Sequence, residues 1–156
     1  MTSLVGTDNY FDDFTVGDIF RHARGKTVTD FETMTLAQLV MNTSDGHYND
    51  ARMRDSEFGA SITFGGVVAA IVYGLASQDT AEQALAEIGL DRIRFALPTL
   101  SGDTLHATTT VLSVEPRDKH SGVVRFLHRG INQRDETVCE MERSVLLRRR
   151  PEESAT

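Results

Sequence analysis

The chain changes its hydrophobic period about halfway along. In the first half, Phe31, Met34, Leu36, Leu39 and Val40 recur at helix-compatible spacing behind Thr29 and Asp30, both good N-cap residues. The pattern predicts a helix over Glu32 to Val40. Ahead of it, Val16-Gly17-Asp18 reads as a turn into a short strand ending near His22. Asn42 to Asp50 is a polar loop, and Ala51 to Glu57 a short helix that Gly59 stops. Ile62 to Ser77 is apolar almost all round and too long for a strand, so it predicts a helix buried on every side. At 1.5 Å per residue it would span about 24 Å.

The second half alternates with period two. Arg92 to Leu97 stops at Pro98, and Thr104 to Glu115 stops at Pro116. Gly122 to Ile131 sets Val124, Phe126 and His128 against Val123, Arg125, Leu127 and Arg129, and Thr137 to Leu147 is the last run. Ser101-Gly102-Asp103, Arg117-Asp118-Lys119 and Asn132-Gln133-Arg134-Asp135 separate the runs. These connections are short, so neighbouring strands are expected to pair antiparallel. Only a sheet can cover an apolar helix in a domain this small. The expected fold is α+β, a curved antiparallel sheet wrapped around one central apolar helix, the arrangement called a hot-dog.

Composition narrows the picture without changing it. The 156 residues, 17.3 kDa and 40% hydrophobic content suit one domain with a real core. Residues 1–9 and 151–156 read as poorly ordered ends around a domain over 10–150. The basic run Arg148-Arg149-Arg150 reads as a solvated terminus. A formal net charge of −7 argues against nucleic acid or an anionic membrane surface as partner, since both are polyanions. The one cysteine, Cys139, excludes an internal disulfide and suits a reducing cytoplasm; it alternates with strand neighbours as a core thiol. Neither a signal peptide nor a membrane span is legible.

Candidate chemistry gathers in two places. His47 lies in the polar loop among Asn42, Ser44, Asp45, Asn49 and Asp50, where it is either a general base or one more residue of a well-capped turn. Ile62-Thr63-Phe64-Gly65-Gly66-Val67 opens the apolar helix. Unpaired N–H groups there could hold a developing oxyanion, or the glycines could simply allow tight packing. Asp12-Asp13, Asp79, Glu82 and Glu87 have no partner histidine at metal-ligand spacing, so no metal site is expected.

The segment Thr35 to Gly59, TLAQLVMNTSDGHYNDARMRDSEFG, resembles the active-site region of MaoC-like (R)-specific enoyl-CoA hydratases. Tyr10 to Gly17 and Pro98-Thr99-Leu100-Ser101-Gly102-Asp103-Thr104-Leu105 are similar to further parts of that family, and the likeness runs from Tyr10 to Arg150. The Met41-Asn42-Thr43 variant resembles a branch near mesaconyl-CoA and methylmalyl-CoA hydratases. The resemblance implies a pair flanking a catalytic water, with His47 as base and Asn42 at the family's Asp position. It implies a helix-start N–H, at Gly65, that polarises the thioester carbonyl. Phe64 and Gly66 beside it, with Asp45 and Asn49 in the loop, are the implied substrate contacts.

The expected activity is reversible addition of water across a 2-enoyl thioester of the acyl-CoA type, by a homodimer. No metal or redox cofactor is expected, CoA being the carrier of the substrate, with its phosphates met by arginine or lysine. Two alternatives remain: a non-catalytic acyl-thioester-binding module, favoured by Asn42 in place of Asp, and a thioesterase using Asp45 or Asp50.

Overall fold

The computed structural model describes residues 9–151. Strands β1 (Ile19–Thr27), β2 (Ala84–Phe95), β3 (Thr104–Pro116), β4 (Ser121–Ile131) and β5 (Thr137–Arg148) form one antiparallel sheet in the order β1-β3-β4-β5-β2. Helix α1 (Asp30–Leu39) starts with a reciprocal cap: Glu32 N–H donates to Thr29 Oγ1, and Thr29 N–H donates back to Glu32. A short α2 (Asp50–Met53) follows, and the long α3 (Gly65–Ala81) packs against all five strands. This is the expected hot-dog architecture.

Two elements end elsewhere than the sequence reading has them: β1 runs on past His22 to Thr27, and α2 stops at Met53 rather than near Glu57. Three further details differ. Ile62 and Thr63 are extended, with Ile62 bridging to Leu100, so α3 begins at Gly65 and runs on to Ala81. It is not covered on every side: Gly66, Ala70 and Gly74 face outward, because the sheet wraps one side and the small residues expose little apolar surface. The strand expected at Arg92 to Leu97 begins eight residues earlier, at Ala84, and pairs with β5 rather than with the next strand. Residues 96–103 instead carry the chain from the edge strand β2 across to β3, next to the far edge, held by Ala96 N–H to Val138 O at 2.9 Å.

The inner face of the sheet holds two apolar clusters. One joins Val28, Val68, Val72, Leu105, Val138 and Met141; the other joins Phe11, Phe14, Phe20, Val111, Phe126 and Val145. Between them along the strands runs a buried polar row, His22 on β1, Thr109 on β3, His128 on β4 and Arg143 on β5. His22 Nδ1 meets Asp79 Oδ2 of α3 at 2.6 Å, and its Nε2 meets Thr109 Oγ1 at 2.7 Å. Thr109 Oγ1 in turn meets His128 Nδ1 at 2.7 Å. Arg143 donates to Tyr73, Ser77 and Thr80 of α3 and pairs with Glu87 of β2. A buried charge is tolerated only with such partners.

The ends of the domain are tied together. Arg149 pairs with Asp12 at 2.6 Å and Arg150 with Asp13 at 2.6 Å, each guanidinium lying over an aromatic ring, Phe11 and Tyr10. The basic run expected to be a solvated terminus therefore clamps the start of the domain. Asn9, expected in the poorly ordered end, is buried and donates to Asp79 O at 2.7 Å. Pro151 is exposed, and the rest of the expectation for the two ends lies outside the described residues.

Candidate active site

The loop before α3 is braced by its own side chains. Asp45 pairs with Arg52, and Asn49 Nδ2 reaches Asp45 at 3.4 Å while its Oδ1 caps α2 by accepting from Arg52 N–H at 3.2 Å. Residues Asp45–His47 form a 3-10 turn. Ile62 N–H donates to Gly46 O at 2.9 Å, and Ile62 O sits 2.8 Å from His47 Nδ1. A carbonyl can only accept, so Nδ1 carries the proton and neutral His47 presents Nε2 as a bare lone pair. Among the described residues no protein donor occupies that nitrogen. A histidine held this way is oriented as a base.

The start of α3 supplies the complementary charge. Phe64 stands at the N-cap, where no side chain caps the helix. Val67 and Val68 N–H both turn back to Phe64 O, but those of Gly65 and Gly66 meet no protein acceptor among the described residues. These free donors sit at the positive end of a seventeen-residue helix. The Phe64 ring lies 5.4 Å from that of His47, bringing the two features together.

A cavity of about 350 Å³ joins them. His47 and Gly65 line it with Phe58, Ile62, Val68, Phe95 and Leu97. Its other polar residues are Thr63 and Thr99, and among the described residues no carboxylate lines it. The volume is near the small end of ligand cavities, roughly 300–1,000 Å³. Such a site can seat an apolar chain, offer N–H groups to an oxygen and take a proton.

Of the residues singled out from the sequence, His47 and Gly65 meet in this cavity. Phe64 and Gly66 face a second, apolar groove with Leu36, Val40, Val67 and Ala70. Asp45 and Asn49 serve the loop. Asn42 does not line the cavity; its Oδ1 accepts from Ser44 N–H at 3.2 Å, a local turn that uses the oxygen expected to hold a water. Sequence reasoning missed Phe58, Thr63, Phe95 and Thr99 as wall residues. They come from segments up to about forty residues apart, and only the crossing from β2 to β3 brings Phe95 and Thr99 to the helix start. Cys139 is the core thiol expected, fully buried and pushed up to about 11 by that burial, so it is no nucleophile.

Comparison with known proteins places the chain among relatives. Residues 6–149 match the family described as Mesaconyl-CoA hydratase. Beta-methylmalyl-CoA dehydratase of Chloroflexus aurantiacus is 27% identical over 96% of this chain and 43% of its own length. A mesaconyl-CoA hydratase of Haloarcula hispanica is 31% identical over 83% of this chain and 36% of its own. The chain thus spans about two-fifths of the curated relatives it matches. Among solved structures, the MaoC-like dehydratase from Rhodospirillum rubrum superposes with a TM-score of 0.82 at 27% identity, covering 92% of this chain and 99% of that one. With a family match over nearly its whole length, the chain belongs to the mesaconyl-CoA hydratase family, on the MaoC-like hot-dog fold.

Proposed function

We propose that the protein is a hydratase/dehydratase interconverting 2-enoyl and 3-hydroxyacyl thioesters of coenzyme A. One observation carries the reading: a histidine with Nδ1 tied to a carbonyl faces the same apolar cavity as an uncapped helix start. In the forward direction the oxygen of water bonds to C3 of the enoyl group while one water proton passes to His47 Nε2. The C2=C3 electron pair shifts toward C1, and negative charge collects on the thioester oxygen. The Gly65 N–H stabilises this oxygen as the charge develops. The proton on Nε2 then passes to C2, and the neutral imidazole returns. Atoms balance with water and enoyl thioester alone.

A thioesterase is less well supported. Asp45 is held by Arg52, Asp50 accepts from Ser61 at 2.7 Å, and neither lines the cavity. The proposed assembly is a homodimer through the edge strand β2, whose Leu85, Ile88, Leu90, Ile93 and Phe95 are all exposed.

The test is product analysis with crotonyl-CoA and mesaconyl-CoA. Loss of the conjugated enoyl thioester without release of free thiol is the expected result. Thiol release would identify a thioesterase, and no turnover a binding module. His47→Ala is expected to lower kcat on the order of 10²–10⁴-fold with the thermal midpoint nearly unchanged. Full turnover in that variant would end the mechanism.

A further inference from the structure

Water addition fixes where the parts of the acyl group must lie. With the thioester oxygen at the start of α3, C3 has to stand within reach of the water that His47 deprotonates. Whatever C3 carries then lies in the cavity beside His47. In mesaconyl-CoA and beta-methylmalyl-CoA, the thioesters in the names of the relatives, that substituent is a free carboxylate.

The cavity of this chain suits a different group. Phe58, Ile62, Val68, Phe95 and Leu97 make its walls mostly apolar, and among the described residues neither lysine nor arginine lines it. Arg52, the cation of the histidine loop, is turned to Asp45. The hydroxyls are also spent: Thr63 Oγ1 lies 2.9 Å from Thr33 Oγ1, and Thr99 Oγ1 is buried beyond the reach of a ligand. Around His47 stand the Ile62 carbonyl, 2.8 Å from Nδ1, and the Phe64 ring, 5.4 Å from the imidazole. Nε2 offers a lone pair, which repels a carboxylate. A protonated His47 would attract one, but an imidazolium has no lone pair left to take a proton from water. One nitrogen cannot serve as both the base and the partner of a carboxylate. A carboxylate placed here loses its water and gains nothing in exchange, whereas an alkyl group gains from leaving water.

We infer that the substrate carries an uncharged alkyl group on C3, and that this cavity selects against the carboxylate of a dicarboxylic acyl thioester. The inference rests on the hydratase reading and narrows it to one substrate class. Membership of the family does not oppose it, because a shared fold and base leave the wall residues free to set the acyl group.

The test uses two thioesters that differ in charge but little in shape. Mesaconyl-CoA with its thioester at C1 carries a carboxylate on C3; 2,4-dimethylpent-2-enoyl-CoA carries an isopropyl group there and otherwise matches it. Hydration of each by the full chain is followed beside that of crotonyl-CoA. Each is also titrated as an inhibitor of crotonyl-CoA hydration, so that a compound bound without turnover is still read. The expected result is kcat/KM at least about tenfold higher for the isopropyl compound, or, where neither is turned over, an inhibition constant at least about tenfold lower. A smaller ratio, or a preference for mesaconyl-CoA, overturns the inference while leaving the hydratase reading and His47 standing. If no enoyl-CoA is hydrated, crotonyl-CoA included, the hydratase reading falls and this inference falls with it.

Discussion

At the residue scale, the site depends on what two side chains lack. His47 lacks a proton on Nε2 because a single carbonyl, Ile62 O, claims the one on Nδ1. Gly65 lacks a Cβ, and one added there would come 3.0–3.1 Å from carbons of the Phe95 ring on the cavity wall. Gly65→Ala therefore has opposing consequences. Alanine is the better helix former by about 1 kcal/mol in a helix interior, so the fold should keep or gain stability. Yet the methyl would push Phe95 across the cavity beside the N–H that is meant to meet the thioester oxygen. Steady-state kinetics should show kcat/KM reduced at least about tenfold, a loss of roughly 1.4 kcal/mol of transition-state stabilisation. Unchanged kinetics would mean that the helix start does not meet the substrate. Of these features, the histidine and the glycine were legible in the sequence. The tautomer was not, because it depends on a carbonyl fifteen residues away.

At the element scale, the strands do more than wrap α3. The row His22-Thr109-His128-Arg143 crosses four strands between two apolar clusters and meets α3 through Asp79, Thr80 and Tyr73. It sets the register of helix on sheet, since a slip of α3 would leave these groups unpaired. Its hydrogen bonds have a definite direction when both histidines are neutral. His22 donates to Asp79 and accepts from Thr109; Thr109 accepts from His128 Nδ1, leaving His128 Nε2 without a partner. Burial holds His128 well below its usual 6.5, and burial also lowers His22 against the opposing pull of Asp79. Below about pH 6.5 the unfolded chain then binds protons that the folded state refuses, so stability falls as pH falls. Urea melts at pH 7.5 and pH 5 should show a clear drop in stability, shallower in His128→Phe, where one of the two titrating rings is gone. An equal drop in both proteins would mean that His128 is charged in the fold. The sequence set His128 on one face of its strand with Val124 and Phe126, but spacing along single elements could not pair Asp79 with a histidine 57 residues earlier.

At the scale of the whole molecule, β2 is the anomaly. A sheet edge is usually blunted by charge or covered, and although β2 carries Glu87, Asp91, Arg92 and Arg94, its Leu85, Ile88, Leu90, Ile93 and Phe95 stay exposed. Two such edges meeting antiparallel about a two-fold axis would pair their backbones and cover both sets of side chains. Phe95 is both on this strand and in the wall of the His47 cavity, so assembly and activity should be coupled. Sedimentation at micromolar concentration should find a dimer. Ile88→Asp, which sets a charge at the edge, should shift it to monomer and lower turnover in parallel. A wild type that sediments as a monomer would remove β2 as an assembly surface.

Local patterning settled what local physics can settle. An apolar run with small residues predicts a buried helix because every turn of it avoids water. Period-two runs between turn clusters predict strands because alternate side chains face opposite sides. The Thr29 cap was readable because its partners lie within one turn. Strand order, the crossing that brings Phe95 and Thr99 to the wall of the His47 cavity, the polar row under α3 and the arginine clamp at the ends were decided only in three dimensions. Each joins groups from distant elements, and the free energy of such a contact depends on a partner that neighbouring residues do not specify. His47 could be suspected as a base from its loop, but its orientation and its cavity come from the way the β2–β3 crossing closes over the start of α3.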